Sequence, residues 1–200
     1  MATGRTVGPA DGPALLRCSL TYALGSLSFA AEVDLRCPTP CAEWNLGALV
    51  DHMRDSNDAL REAVAFGDVP IAPTRPTNES VRSVQALRAE LHRLRAAWED
   101  PLPPEEIHVE GLPLSLGVAA LAGALEIAVH AWDIGQSCHH PNPVPTRLAD
   151  ALLSVAPLLI PETDRPGLFD PPLPVASSAP ANDRLLAFLG RCPERPVAVA

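Results

Sequence analysis

"LSLGVAALAGALEIAVHAWDIG", residues 114–135, is apolar around nearly its whole circumference, yet Glu126 and His130 stand in its middle. A helix hydrophobic on every side belongs either in a protein core or across a bilayer. The stretch is long enough to span, since a crossing needs ~20 apolar residues. Two ionisable groups near the centre would, however, cost roughly 3 kcal/mol each in lipid unless paired. The chain shows no second apolar span, and neither flank carries a basic cluster. The stretch therefore reads as the buried helix of a soluble protein, with no membrane partner.

Outward from it, the chain reads as helices separated by proline. A first helix runs from about Pro13 to Val33, with Leu16, Leu20, Leu24 and Leu27 in a stripe. "RCPTPCAEW" breaks it, because Pro38 and Pro40 remove donors and favour extended backbone. A second helix starts near Asn45 and stops at Gly67, with Leu46, Leu49, Met53 and Leu60 on its apolar face. The linker "GDVPIAPTRPTN" leads to a third, from about Glu79 to Trp98, carrying Val81, Val84, Leu87, Leu91 and Leu94. Beyond the apolar helix, a fifth covers about Arg147 to Leu159. The tail "PETDRPGLFDPPLPVASSAPAND" is too irregular for a long element and precedes a short final helix, "DRLLAFLG". Strand-like alternation is scarce. The expectation is an all-α fold in a single domain, residues 1–200: an antiparallel four-helix bundle with an irregular Pro-rich C-terminal tail.

Composition narrows the function. At 200 residues and 47% hydrophobic, the chain can bury a substantial core. A net charge of -9 would repel phosphate backbones, which argues against a nucleic-acid partner. "MATGRTVGPADG" has no apolar run behind a basic start, so no secretory signal is visible. Cys18, Cys37, Cys41, Cys138 and Cys192 form no C-x-x-C pair, so a reducing cytoplasm is the simpler setting.

Glu126 and His130 stand at i and i+4, on one helix face. His52 lies on or near the apolar face of the second helix. Helices in a bundle pack ~8–10 Å apart, so His52 can meet the pair. Two imidazoles and one carboxylate form a familiar catalytic zinc set, with an open position for water or substrate. The plainer reading pairs Glu126 with a buried arginine, His130 with a carbonyl, and leaves His52 on the surface. A carboxylate in such apolar sequence needs a strong partner, and that helix holds no arginine.

"PTPCAEWNLGALVDHM", "ALEIAVHAWDIGQS" and "DRLLAFLGRCP", in that order, resemble the actinobacterial mycothiol-dependent maleylpyruvate isomerase-like proteins of the DinB-like superfamily. The resemblance spans nearly the whole chain, and its middle block is the specific one. It implies a DinB-like four-helix bundle holding a divalent metal, commonly zinc, at His52, Glu126 and His130. It further implies mycothiol as cofactor or co-substrate. Some members receive an active-site arginine from a separate C-terminal domain, for which this sequence leaves no room. Isomerisation of maleylpyruvate itself is therefore not expected.

Around this set, Trp44 seats the start of the second helix or meets substrate. Asp133 is a candidate to orient a ligand, and Ser56 and Asn57 are candidate pocket residues one turn beyond His52. Cys41 and Cys138 match no ligand position, and His139 and His140 read as a polar helix end. An anion-holding cation is sought at Arg17, Arg54 or Arg82. The leading expectation is an enzyme that uses metal and thiol to transfer sulfur to, or isomerise, a small electrophile, as a monomer or homodimer. The alternatives are a Lewis-acid hydrolase or cyclase of specialised metabolism and a non-catalytic metal-holding binding or resistance module.

Overall fold

The structure, a computed structural model, describes residues 7–29, 33–41, 44–69, 84–99, 104–163, 165 and 169–193. Six helices and three short strands follow in the order α1 (Gly12–Ser26), α2 (Leu46–Phe66), β1 (Asp68–Val69), α3 (Val84–Ala97), β2 (Glu106–Val109), β3 (Leu112–Ser115), α4 (Leu116–Ser137), α5 (Thr146–Leu159) and α6 (Ala181–Phe188).

Local chemistry sets the ends of α2. The Asn45 side chain accepts the Ala48 N–H at 2.9 Å, satisfying one of the first-turn donors. At the other end Gly67 takes the left-handed conformation, φ 68°, that closes a helix at little steric cost. The expected boundaries therefore hold within a residue. The first helix is shorter than expected: α1 stops at Ser26, and a 3-10 turn over Leu27–Phe29 follows. Residues 79–83 of the expected third helix, including Val81 and Arg82, lie outside the described residues.

Helix α4 is the centre of the packing. It lies against α1, α2 and α5, and Ala120, Ala124, Ala128 and Ala131 are fully buried along it. These small side chains let its neighbours approach closely. At one end a Cβ on Gly12 would overlap the Gly117 carbonyl oxygen. Helix α4 is long and apolar enough to cross a membrane, but most of it is buried within this protein.

The helix directions correct the antiparallel expectation. The start of α1 meets the start of α4 at Gly12 and Gly117, while Tyr22 and Ser26 in the last turns of α1 bond Asn142 just past the end of α4, so α1 and α4 run parallel. Arg54 pairs with Glu90 and Trp98 reaches the Leu60 carbonyl, so α2 and α3 are parallel too. His52 meets Glu126 and Leu60 meets Gly123, which sets α2 antiparallel to α4. Parallel neighbours need a long connection, and residues 70–83, between β1 and α3, lie outside the described residues.

The described residues are mostly helical, as expected of an all-α fold, with one unexpected addition, a small sheet of order β1-β2-β3. Strands β2 and β3 form an antiparallel hairpin with Val109 opposite Leu112. Its two turn residues, Glu110 and Gly111, both have positive φ (52° and 75°), as a type I′ turn requires. Strand β1 adds in parallel, Asp68 opposite His108. Four-residue strands are too short to show alternation, and a Glu-Gly turn is a weak hairpin signal.

Replacing Gly12 by alanine should cost about 2–3 kcal/mol, because the added carbon meets backbone that cannot rotate away. For a chain of this size that lowers the melting temperature by roughly 5–10 °C. An unchanged thermal melt would mean that α1 and α4 do not approach so closely.

Candidate metal centre

The site lies towards the end of the helices opposite the sheet. His52 comes from the second turn of α2, Glu126 and His130 from α4, and Trp44 from the segment leading into Asn45. The ligand atoms of His52, Glu126 and His130 all lie within 4.8 Å of one another. Glu126 Oε1 sits between the two imidazoles: it bonds His52 Nε2 directly and lies 3.2 Å from His130 Nε2. The three aromatic rings cluster, with Trp44 4.6 Å from His52 and His52 5.1 Å from His130, nearly perpendicular.

Burial is graded across the set. The His130 side chain is 6% exposed, whereas those of His52 and Glu126 are 34% and 27% exposed. One flank of the trio is thus anchored in the core and the other faces solvent, leaving an approach for a small molecule. His130 Nδ1 donates to Asp133 Oδ2 at 3.0 Å, which leaves Nε2 facing Glu126 and His52. A carboxylate behind a ligating histidine sets its tautomer and ring rotation in this way. The N, N, O donor set fits a divalent metal ion, and it turns to one another the same atoms that would ligate the ion.

Electrostatics agree with close coupling. Burial pushes the Glu126 carboxyl up, but the hydrogen bonds from His130 and His52 outweigh it and hold the group well below the usual carboxylate range. Burial likewise lowers His130, and the hydrogen bonds to Asp133, Cys41 and Glu126 raise it well above its ordinary value. Asp133, fully buried, is pushed up by desolvation and brought below normal by the charge of Arg191 and the bond from His130.

The remaining candidates divide. Trp44 is half-buried and its ring lies against both imidazoles, so it forms a wall of the site rather than a distant core contact. Ser56 is half-buried on the turn of α2 after His52. Asn57 is 1% exposed, not on the surface, and neither its amide oxygen nor its nitrogen bonds any described residue. Arg17 is exposed on α1, and Arg54 grips Glu90 through two nitrogens. The exposed His139 and His140 follow the end of α4 and belong to no metal-holding group among the described residues.

Two further residues stand at the centre: Cys41, read from the sequence as matching no ligand position, and Arg191, which the sequence did not single out. Cys41 Sγ lies 3.3 Å from Asp133 Oδ2, and Arg191 Nη2 lies 2.7 Å from that sulfur and 3.2 Å from the same carboxylate oxygen. Cys41, His130 and Asp133 also lie close enough for a metal, but the guanidinium already occupies the cation's place there. Of the arginines sought as an anion-holding cation, Arg17 is exposed, Arg54 is taken by Glu90, and Arg82 lies outside the described residues. The guanidinium at the site belongs to the tail, where the third quoted block, "DRLLAFLGRCP", contained it.

Comparison with known proteins agrees with this arrangement. Residues 20–135 match the model of the mycothiol maleylpyruvate isomerase N-terminal domain. That span runs from within α1 to the last turn of α4 and includes His52, Glu126, His130 and Asp133. Two uncharacterized proteins of Mycobacterium tuberculosis, from the CDC 1551 / Oshkosh and ATCC 25618 / H37Rv strains, are each 28% identical over 156 residues. Those alignments cover 77% of this chain and 83% of each relative. No solved structure matches. With more than half of its length matched, the residues of the candidate site included, the chain belongs to the mycothiol maleylpyruvate isomerase N-terminal domain family.

Proposed function

We propose that this protein is a single-domain, divalent-metal-dependent enzyme that uses a low-molecular-weight thiol, mycothiol, to transfer sulfur to, or isomerise, a small electrophilic metabolite. The observation that carries the reading is the half-open His52, Glu126 and His130 set: three ligands anchored on one flank and accessible on the other. Zinc is the ion proposed, because two imidazoles and a carboxylate with one open position form a catalytic zinc set. Such an ion, when bound, supplies thiol activation by lowering the thiol pKa below its free value of ~8.5.

The chain's own residues do the rest. Asp133 fixes His130, and Trp44 gives an apolar wall against which a carbon skeleton can lie. The net charge of -9 favours a small-molecule substrate over nucleic acid. The proposed setting is the cytoplasm, with the protein acting as a monomer or homodimer.

The test is to titrate mycothiol into zinc-loaded and metal-free protein, then add a panel of enones, epoxides and alkyl halides. Saturable thiol binding that requires the metal, followed by a conjugate or an isomer, is the expected result. No metal-dependent binding at millimolar thiol would overturn the thiol chemistry and turn attention to Lewis-acid hydrolysis or cyclisation, or to metal holding without catalysis.

A further inference from the structure

We propose that Arg191 is a positioning residue for the metal centre, acting through Asp133 on His130, so that the segment after α6 is a working part of the site. The inference rests on the metal reading and is independent of whether a thiol is used.

The chain of contacts is direct. Asp133 is fully buried, and its Oδ2 receives His130 Nδ1 at 3.0 Å, Arg191 Nη2 at 3.2 Å and Cys41 Sγ at 3.3 Å. Its Oδ1 bonds no described residue, so the rotamer of this carboxylate is held through one oxygen alone. Asp133 sits on α4 three residues beyond His130. Free rotation about its side chain would release the ring that presents Nε2 to Glu126. The guanidinium closes the far side of that oxygen and leaves the carboxylate a single orientation.

Arg191 is itself placed with care. It is 6% exposed, and its Nη1 donates to the Leu189 carbonyl at 2.8 Å, so the side chain folds back over its own turn. That turn needs Gly190, whose φ is 78° and where a Cβ would lie 2.5 Å from Asp170 Cβ and 2.9 Å from the Asp170 oxygen. The Phe169 ring lies 5.8 Å from the guanidinium carbon. Helix α6 is seated on α5 by the buried Leu185 and Leu186. Arg191 is thus held by its own turn, and its charged end is spent on Asp133 and Cys41.

The same tail offers an internal control. Arg165 is also buried, donates to the Asp170 carbonyl at 2.9 Å and lies over the Phe188 ring at 4.7 Å, but it makes no contact with Asp133. Loss of Arg165 should loosen the tail without disturbing the carboxylate.

The experiment loads the full chain with cobalt(II) as a spectroscopic probe and measures its affinity by chelator competition. It uses wild type, Arg191→Ala, Asp133→Asn, the double variant and Arg165→Ala, each checked by circular dichroism. Arg191→Ala and Asp133→Asn should each weaken cobalt binding about 10–100-fold and shift the visible band, the size seen when the partner of a ligating histidine is lost. The double variant should be no weaker than the worse single one, because both act along one path. Millimolar methylguanidinium should restore part of the affinity of Arg191→Ala. Arg165→Ala should melt earlier but bind cobalt as wild type does. Wild-type affinity in Arg191→Ala, additive losses, or an equal loss in Arg165→Ala would overturn the inference while leaving the metal centre intact. A wild-type chain that takes up no cobalt would overturn both.

Discussion

Loaded with zinc and desalted, the wild-type protein should retain about one metal equivalent per chain, and the His52→Ala/Glu126→Ala/His130→Ala variant should retain none. The ligand atoms of these residues already face one another within 4.8 Å, so little rearrangement is needed to close on an ion. Each single alanine should weaken binding roughly 100-fold or more, about 3 kcal/mol, because two protein donors hold zinc far less firmly than three. His130→Ala should be the most damaging, since it is the most buried of the three and removes the group that Asp133 holds in place. Cys41→Ala separates this centre from the neighbouring Cys41, His130 and Asp133 cluster. It should leave the metal content unchanged, because Arg191 stands where a cation would bind. Elemental analysis reads all of these. Unchanged metal in the triple variant, or loss in Cys41→Ala alone, would show that the ion sits elsewhere.

That the centre could be read from the sequence at all follows from the geometry of α4. An i, i+4 pair shares a helix face whatever the tertiary fold, and an apolar helix surrounding it leaves no doubt that the face is inside. His52 was legible for a related reason: it follows Leu49 and Val50 on a helix whose cap residues, Asn45 and Gly67, were written plainly. The partners that depend on long-range packing were not legible. Cys41 reaches Asp133 across 92 positions and Arg191 reaches it across 58. No periodicity links such residues. One signal for Arg191 was present, an arginine just after a glycine that ends an apolar helix, where burial is the common fate of the chain. That pattern does not say which distant carboxylate the arginine reaches.

The fold divides in the same manner. Helices with caps and stripes were recovered within a few residues, whereas helix direction was not, because antiparallel packing was assumed from the helix count. A long connection between α2 and α3 permits parallel neighbours, and the proline-rich sequence between them does not announce the direction of the next helix. The β2–β3 hairpin was lost inside "PPEEIHVEGLP", where each strand is only as long as a typical turn region.

Stripped of metal, the protein should be most stable between about pH 5 and 6.5, and the gap between metal-loaded and metal-free melts should widen as pH rises. His130 is faced by Glu126 and Asp133 from its own helix, His52 from α2, Cys41 from the preceding loop and Arg191 from the tail. Its folded pKa is raised well above the ordinary value, so its contribution is fully present below about pH 6.5 and is lost as pH climbs through the folded value. Glu126 and Asp133 are shifted down, so their contributions are present above about pH 4.3 and are lost on acidification. Both sets therefore act together only in the mildly acidic window. Metal binding follows the opposite course. An ion must displace the proton from the nitrogen it takes, so its affinity grows with pH while the metal-free protein weakens. At a free metal concentration 1,000 times Kd, binding adds about 4 kcal/mol, or roughly 8–16 °C in melting temperature for a chain of this size. Glu126→Leu should flatten the metal-free profile on its acid side and, with binding weakened roughly 100-fold, narrow the gap at the same zinc concentration to about 1.4 kcal/mol or less. Melts in chelator and in excess zinc from pH 5 to pH 9 provide the measurement. A metal-free melting temperature that rises steadily to pH 9, or a gap that stays constant, would mean that Glu126 and His130 do not share their charge in the way their contacts require.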